Sequence, residues 1–465
     1  MMPEERYKKL KEYLSAENPV LLDVIDKYKE LDKIGYKLGI IESNETYTSH
    51  ISWWPMISIL GTFSAGKSSF INEYVGSNIQ QSGNHAVDDK FTVISYGNKD
   101  EATTLPGLAL DADPRFPFYN ISEEIDKVDS GEGNRVNLYL QLKTLKSPKV
   151  KGKILIDSPG FDADSQRDGI LRITSHIVEM SDLVLVFFDA RHPEPGAMRD
   201  TLEHLVSTTI GHKDANKVLY ILNQIDTTAK EDNLEAVISS WQRALAKEGL
   251  ISGNFYGIYN EKAANTIDDE VMKTRLKNKK DIDLNRIVER MDKVSTERAY
   301  RIIKALDDFS KSIKEEKIPQ LQEILQDWGH KVLYTDMAVG VVLLIVVFLL
   351  QAQFNLPIVD SSTNMIIGGS LFTIIIMLVH YKARNFFANR AAKKYKDIDN
   401  SISKAILHNT KWWRTSFGFG RNWHKGTKNT LDILMSDGKK AIQKLNDQFL
   451  NSSNKESKEN ITQKE

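Results

Sequence analysis

The chain has 465 residues, enough for about three domains at ~150 residues each, and its 62 Lys and Arg balance 63 Asp and Glu to a net charge of −1. Hydrophobic residues make up 41% and charged residues 27%, which excludes a chain-wide polycation for nucleic acid and an acidic disordered chain. There is no cysteine, so disulfide scaffolds, thiolate metal sites, iron–sulfur clusters and cysteine nucleophiles are excluded.

The first segment, residues 1–48, opens on MMPEERYKKLKEYL, which is charged and lacks the apolar core that a secretory signal needs. Leu10, Leu14, Leu21, Val24, Ile25, Tyr28 and Leu31 recur at helical spacing, with a break at Asn18–Pro19, which predicts one or two amphipathic helices. From about residue 52 to 275, short β-branched runs alternate with helical segments, an α/β pattern.

Candidate chemistry lies in that part. Met56–Leu60 reads as an apolar strand and is followed by GTFSAGKSS at Gly61–Ser69, then by helical Phe70-Ile71-Asn72. This fits G-x-x-x-x-G-K-[ST] in the required strand–loop–helix context. Gly61 and Gly66 let the loop wrap a phosphate with backbone N–H groups turned inward, at a helix N-terminus that favours negative charge. The phosphate-binding set is Gly61, Ser64, Ala65, Gly66, Lys67, Ser68 and Ser69; Lys67 would reach the β- and γ-phosphates and the Ser68 hydroxyl would hold Mg²⁺. A second strand, Lys153–Ile156, ends in DSPG at Asp157–Gly160, where the Asp157 carboxylate would join the Mg²⁺ shell and the Gly160 amide would approach the γ-phosphate. Leu183–Phe188 is an all-apolar strand suited to a sheet covered on both faces. Lys217–Leu222 leads into NQID, where Asp226 would accept from a guanine N1–H and exocyclic amine while Asn223 braces the loop. The order P-loop, DxxG, [NT]xxD, each after an apolar strand, is a strong joint signal for nucleotide binding.

Beyond it, Leu284, Ile287, Met291, Val294, Ile302, Leu306, Phe309 and Ile313 predict a long helix, which Pro319 is expected to kink or break. From Met337 to Tyr381 the only formal charge is Asp360. Met337–Leu350 and Asn364–Tyr381 are apolar on all faces and are joined by a polar turn, roughly 351–363, which reads as a transmembrane helical hairpin; a buried soluble hairpin and a shallow re-entrant wedge stay open. Lys382, Arg384, Arg390, Lys393 and Lys394 follow the second span and the turn has no Lys or Arg, so both chain ends are expected on the cytoplasmic side. Gly340, Gly368 and Gly369 permit close approach of the two helices. Residues 400–431 hold six Lys or Arg and no acid, interleaved with Trp412, Trp413, Phe417, Phe419 and Trp423, which suits an anionic headgroup region; the alternative is a bundle corner with buried tryptophans, and nucleic acid has no other support in the chain. The closing NSSNKESKENITQKE reads as a solvated tail.

At its three motifs the chain resembles the dynamin superfamily of large GTPases. GTFSAGKSSFIN is similar to the GxxSxGKS loop of that superfamily, a resemblance that makes Ser64, with Lys67, a catalytic residue that orients the attacking water. LVLVFFDARHPEP at Leu183–Pro195, SSWQRALAK around Trp241 and FYGIYN around Tyr256 are similar to segments of EHD-type ATPases and bacterial dynamin-like proteins. The resemblance covers roughly residues 50–265, and the layout around it resembles mitofusins and atlastins. It implies an α/β P-loop domain with a mainly parallel sheet, an α-helical stalk carrying the hairpin, GTP as substrate with Mg²⁺, self-association through the nucleotide domains and work on an anionic lipid bilayer. The expected division is 1–48 N-terminal stalk helix, 49–275 nucleotide domain, 276–333 stalk, 334–382 hairpin, 383–450 membrane-proximal helices and 451–465 tail.

Two departures keep other readings open. NQID carries Gln224 where the GTPase pattern has Lys, and EHD proteins use ATP with a GTPase-like motif, so ATP remains an alternative. In SGNHAVDDKFTV, Ser82–Val93, the expected first-switch Thr falls on Val87 or Asp88, and Thr92 is out of register, so a non-hydrolysing, nucleotide-gated scaffold is a further alternative. His85, Arg167, Asp168, Arg191 and His192 are each either surface residues or switch and rim elements.

Overall fold

The computed structural model describes residues 3–81, 90–110, 113–116, 136–160, 167–193, 217–250, 253–354, 362–415 and 425–462. The first switch, 82–89, with His85, Val87 and Asp88, and the aromatic stretch 416–424, with Phe417, Phe419 and Trp423, lie outside the described residues. The chain forms two compact units: Pro3–Leu22 with Ser49–Ile302, and Asp23–Thr48 with Ile303–Glu465.

The first unit is built on a sheet of strands β1 Met56–Gly61, β2 Phe91–Tyr96, β3 Thr103–Pro106, β4 Leu140–Leu145, β5 Ile154–Asp157, β6 Leu183–Asp189, β7 Val218–Asn223 and β8 Asn254–Gly257, in the order β3-β4-β2-β5-β1-β6-β7-β8. The β2–β5 and β3–β4 pairs are antiparallel and the others parallel. Central strands such as MISILG and LVLVFFD are buried along their whole length, as strands covered on both faces must be. Alternation along β1 and β6 separates two apolar layers. Ile57, Ile59, Leu185 and Phe187 face α3 (Lys67–Val75) and the long α6 (Glu270–Ser312) through Phe70, Ile71, Ile287 and Met291. Leu60, Val184, Val186 and Phe188 face α5 (Leu234–Lys247), whose Trp241 lies edge-on to Phe188 and Phe255 with centroids 5.5 Å apart. Helix α4 (Arg167–Met180) connects β5 to β6.

Two buried carboxylates pin helices to this sheet. Glu17, closing α1 (Pro3–Glu17), accepts from Trp54 Nε1 at 2.8 Å and from the Gly152 amide at 3.1 Å and faces Arg115; burial raises its pKa. Asp182 accepts from the Met56 amide at 3.0 Å and from Arg298 and Arg301 of α6 at 3.3 and 2.7 Å.

The second unit is helical: residues 23–38 of α2 (Leu22–Leu38), the end of α6, α7 (Ile318–Phe354), α8 (Ser362–Tyr395), α9 (Asn400–Asn409) and α10 (Lys425–Thr462). Of the kink or break expected at Pro319, the structure shows no break. A π-helical turn, Ile313–Lys317, precedes it and the chain remains helical from Glu270 to Gln353. Proline lacks the N–H that would bond the carbonyl four residues back, and a widened turn absorbs that loss. The last helix runs to Thr462, beyond the Leu450 boundary read from composition; NSSNKESKEN contains no Gly or Pro to stop it. Asn409 Nδ2 donates to the Leu38 carbonyl at 2.7 Å, and Lys27–Asp437 and Lys314–Asp432 pair at 2.5 Å. Exposed ion pairs contribute little singly, so the aligned apolar faces carry the packing.

Helices α7 and α8 contain the two stretches long and apolar enough to cross a membrane. Only 6% and 0% of their most apolar windows is buried, so the buried soluble hairpin does not describe this structure. Val341, Leu344, Phe348, Ile366, Leu371 and Met377 present their side chains outward. At the open end, His380 Nδ1 and Asp336 Oδ2 are 2.6 Å apart and level the two helices.

Asp182→Ala leaves the buried Met56 amide without its acceptor and removes the carboxylate from Arg298 and Arg301, and is expected to cost about 2–4 kcal/mol. Asp182→Asn, which keeps an oxygen for the Met56 amide, is expected to cost less. Urea unfolding followed by tryptophan fluorescence distinguishes the two.

Candidate nucleotide site

The site is assembled at the carboxyl ends of β1, β5 and β7, where an open α/β sheet places its ligand crevice. The loop after β1 makes the transition to α3 through two left-handed residues, Ser64 (φ 59°) and Gly66 (φ 84°). Gly66 is required twice over: its φ is positive, and an added Cβ would lie 2.1 Å from Asn223 Nδ2. Lys67, in the first turn of α3, is buried and donates to the carbonyls of Gly61 and Thr62 at 2.9 and 3.1 Å. Burial lowers its pKa, an effect that the nearby Asp157 opposes. Ser68 and Ser69 follow in the same turn, both partly exposed.

The DSPG loop reaches the same place. Asp157 ends β5 and is buried. Gly160 lies so close to the P-loop that an added Cβ would meet Phe63 Cα at 3.0 Å. From the other side, Asn223 at the end of β7 donates through Nδ2 to the Ala65 carbonyl at 2.9 Å, and its Oδ1 accepts from the Gln224 amide at 2.9 Å. Gln224, left-handed at φ 63°, donates through Nε2 to the Ser64 carbonyl at 2.7 Å. The glutamine thus ties its loop to the P-loop from the position where the GTPase pattern has lysine. Asp226 is buried, and its Oδ2 accepts from the Asn265 amide at 3.0 Å and from Asn265 Nδ2 at 3.3 Å.

The residues beside the motifs divide clearly. The Arg191 guanidinium is committed to Asp189 through Nε and Nη2 at 2.6–3.0 Å, a pairing that raises its pKa, and Asp226 acts on it in the same direction. His192 is exposed and bridges to Asp189. Thr92 is buried in β2, accepts from Gln141 Nε2 at 2.8 Å and pairs in register with Asp157 as a strand residue. Arg167 and Asp168 begin α4, and their side chains lie outside the described residues.

Sequence reasoning missed three contributors. Gln80 is buried, held by Asn72 through two hydrogen bonds of 2.8 and 2.9 Å, and donates through Nε2 to Asp157 Oδ2 at 2.5 Å. Its Oε1 accepts from Lys143 Nζ at 2.6 Å. A buried cation therefore reaches Asp157 through one carboxamide. The available signal was Lys143 itself, a charge at an inward position of β4 between Leu142 and Leu145. Asn265 is the third, from the loop after β8.

The donor set fits a hard divalent cation: the Ser68 hydroxyl and Asp157 carboxylate offer oxygen, and Lys67 offers the charge for a phosphate. Among the described residues no cluster of three or more His, Asp or Glu is arranged to hold a metal by itself.

Residues 57–225 match the family model described as Dynamin family. Dynamin-family proteins are GTPases, generally hydrolases, that use GTP with Mg²⁺. EH domain-containing protein 2 of Homo sapiens is 25% identical over 201 residues, covering 41% of this chain and 34% of the relative. EH domain-containing protein 1 of Arabidopsis thaliana is 24% identical over 212 residues, covering 43% and 35%. The chain thus spans about a third of these curated relatives. A solved oligomerised bacterial dynamin pair, described as a mechanism for long-range sensing and tethering of membranes, is 17% identical with a TM-score of 0.35, over 90% of this chain and 78% of that one. Aquifex aeolicus Era, solved with GDP and aluminium fluoride, is 20% identical with a TM-score of 0.26, over 48% and 56%.

Two outcomes are expected for this domain. Gln80→Leu removes the hydrogen bond that orients the Asp157 carboxylate, so the Mg²⁺-dependent gain in nucleotide affinity should fall about 10-fold, while affinity in EDTA is unchanged; calorimetric titration in both buffers reads it. Between the lowered pKa of Lys67 and its usual 10.5 the unfolded chain binds more protons, so the Lys67 contribution to stability rises with pH. Lys67→Met should flatten that alkaline rise in the nucleotide-free protein and abolish nucleotide binding.

Proposed function

We propose that the chain is a membrane-anchored dynamin-like GTPase that hydrolyses GTP with Mg²⁺ and tethers, fuses or curves membranes through nucleotide-dependent pairing of its nucleotide domains. The observation that carries this reading is the convergence of three motifs on one P-loop: Lys67 on the Gly61 carbonyl, Gly160 against Phe63, and Asn223 and Gln224 on Ala65 and Ser64. Lys67 supplies the positive charge for the β- and γ-phosphates, and the backbone amides of Ser64–Ser69 supply donors at the N-terminus of α3. Ser64 orients the attacking water. Asp226 receives the N1–H and exocyclic amine of guanine, and Asn265 holds that carboxylate in place. Ser68 and Asp157 would hold Mg²⁺, which would neutralise charge developing on the transferred phosphoryl group.

The membrane part of the proposal rests on the two exposed apolar helices. The cluster Lys382, Arg384, Arg390, Lys393 and Lys394 after the second of them supports a reading with both chain ends on the cytoplasmic side and an anionic lipid surface beside them. Residues 49–275 act as the nucleotide domain, 276–333 and the helices after 383 as stalk, and 334–382 as hairpin. Ordering of the switches that follow Gln80 and Gly160 builds the paired state; hydrolysis releases them and moves the stalk.

One observation favours a second reading, an ATPase scaffold: Gln224 spends its amide on the Ser64 carbonyl and lacks a lysine's reach along a guanine ring. Turnover of GTP and ATP, measured side by side on full-length protein in anionic vesicles with Lys67→Ala as control, separates them. GTP turnover that rises with protein density and disappears in the variant is expected. ATP turnover would establish the second reading, and binding of either without turnover would show a nucleotide-gated scaffold.

A further inference from the structure

The turn after α9 is a rigid platform that exposes two tryptophans. Trp412 and Trp413 are 67% and 64% exposed, whereas every other described tryptophan is buried. Their rings stand edge to face with centroids 5.8 Å apart, and Lys411 Nζ lies 5.4 Å from the Trp413 ring. The backbone beneath them is fixed on several sides. Arg384, 4% exposed, donates through Nη2 to the Thr410 carbonyl at 2.8 Å and the Thr415 carbonyl at 2.6 Å. Arg414 donates to the Lys37 carbonyl at 3.1 Å, and Thr410 Oγ1 to the Ile406 carbonyl at 2.8 Å. Ordering a turn this firmly while leaving two indoles uncovered opposes the usual burial of large apolar surface.

The clamp also fixes the level of the turn. Arg384 stands three residues beyond Tyr381, the end of the second apolar stretch, which is about 4.5 Å along the helix at a rise of 1.5 Å per residue. Each headgroup layer is roughly 5–8 Å thick. A turn bonded to Arg384 is therefore at headgroup depth whenever the hairpin spans a bilayer. Tryptophan prefers that depth because its ring is apolar and its N–H polar, and Lys411 and Arg414 bring positive charge to the same turn.

The geometry points to the Thr410–Thr415 turn as a second membrane contact, distinct from the hairpin, in which Trp412 and Trp413 insert among the headgroups of the same bilayer and Arg384 positions them. The occupant is the anionic lipid surface, because the platform is continuous with the apolar helices and carries two cations and no acid. This inference rests on the membrane reading of the hairpin. It adds that the stalk is held against the lipid surface at a fixed angle, which a hairpin alone does not impose.

Because the chain contains no cysteine, single-cysteine variants of the full-length protein test both readings separately. Lys411→Cys and Ile345→Cys are labelled with a polarity-sensitive fluorophore and reconstituted in phosphatidylcholine vesicles with and without phosphatidylserine, with Lys247→Cys on the first unit as an aqueous control. Expected are a blue shift and loss of intensity at 411 with a headgroup-attached spin label, stronger with phosphatidylserine, and loss of intensity at 345 with a mid-chain label. Adding Trp412→Ser and Trp413→Ser should remove the effect at 411 and leave that at 345. An unquenched, aqueous 411 beside a quenched 345 would overturn the second contact and leave the hairpin standing. A shielded but unquenched 411 means that protein covers the turn, and also overturns it. An unquenched 345 would remove the hairpin reading and this inference with it.

Discussion

The carbonyls of Ser64 and Ala65 accept hydrogen bonds from the side-chain amides of Gln224 and Asn223, and the geometry of the nucleotide site depends on those two bonds. A phosphate loop must turn its N–H groups inward, which requires left-handed residues; here they are Ser64 and Gly66. A left-handed non-glycine costs about 1–2 kcal/mol, and its carbonyl then faces outward and needs a donor. The loop after β7 supplies that donor. One contact thus stabilises the P-loop conformation and sets the distance between the phosphate end and the base end of the site.

Around that contact the three motifs are adjacent because β5, β1, β6 and β7 are neighbours in a sheet whose parallel strands end on the same side. This much is legible in sequence: each motif follows an apolar run that can only be a doubly covered strand, and the motifs occur in a set order. The Lys143–Gln80–Asp157 chain is not legible that way. Its members lie on β4, after α3 and at the end of β5, and β2 comes between β4 and β5 in the sheet. Spacing along the chain carries no information about a strand order produced by two antiparallel pairs. Asn265 escaped for the same reason: its loop meets Asp226 only because β8 pairs beside β7.

The helical unit shows the same division. Periodicity located the helices, and the loss of charge between Met337 and Tyr381 located the hairpin. Pro319 marked a disturbance whose form the sequence left open, because a proline is locally incompatible with a regular α-helix but not with a helix that widens for one turn before it. The basic, aromatic stretch 400–431 was open to two meanings, a lipid-facing surface or a bundle corner with buried tryptophans. For Trp412 and Trp413 the tertiary structure decides the exposure: Arg384 and Arg414 hold the turn by its carbonyls, and the indoles remain outside.

By itself, then, the amino-acid order determined the α/β class, the phosphate loop, the three-motif succession and the apolar hairpin, since each is a local pattern enforced by hydrogen-bonding geometry or by the cost of hydrating apolar side chains. Tertiary structure decided which polar groups meet across those elements: the amide that replaces a lysine at Gln224, the buried relay to Asp157, the ion pair that occupies Arg191, and the outward pair of tryptophans. Such contacts join residues tens to hundreds of positions apart, and only the packing of strands and helices brings them within hydrogen-bonding distance.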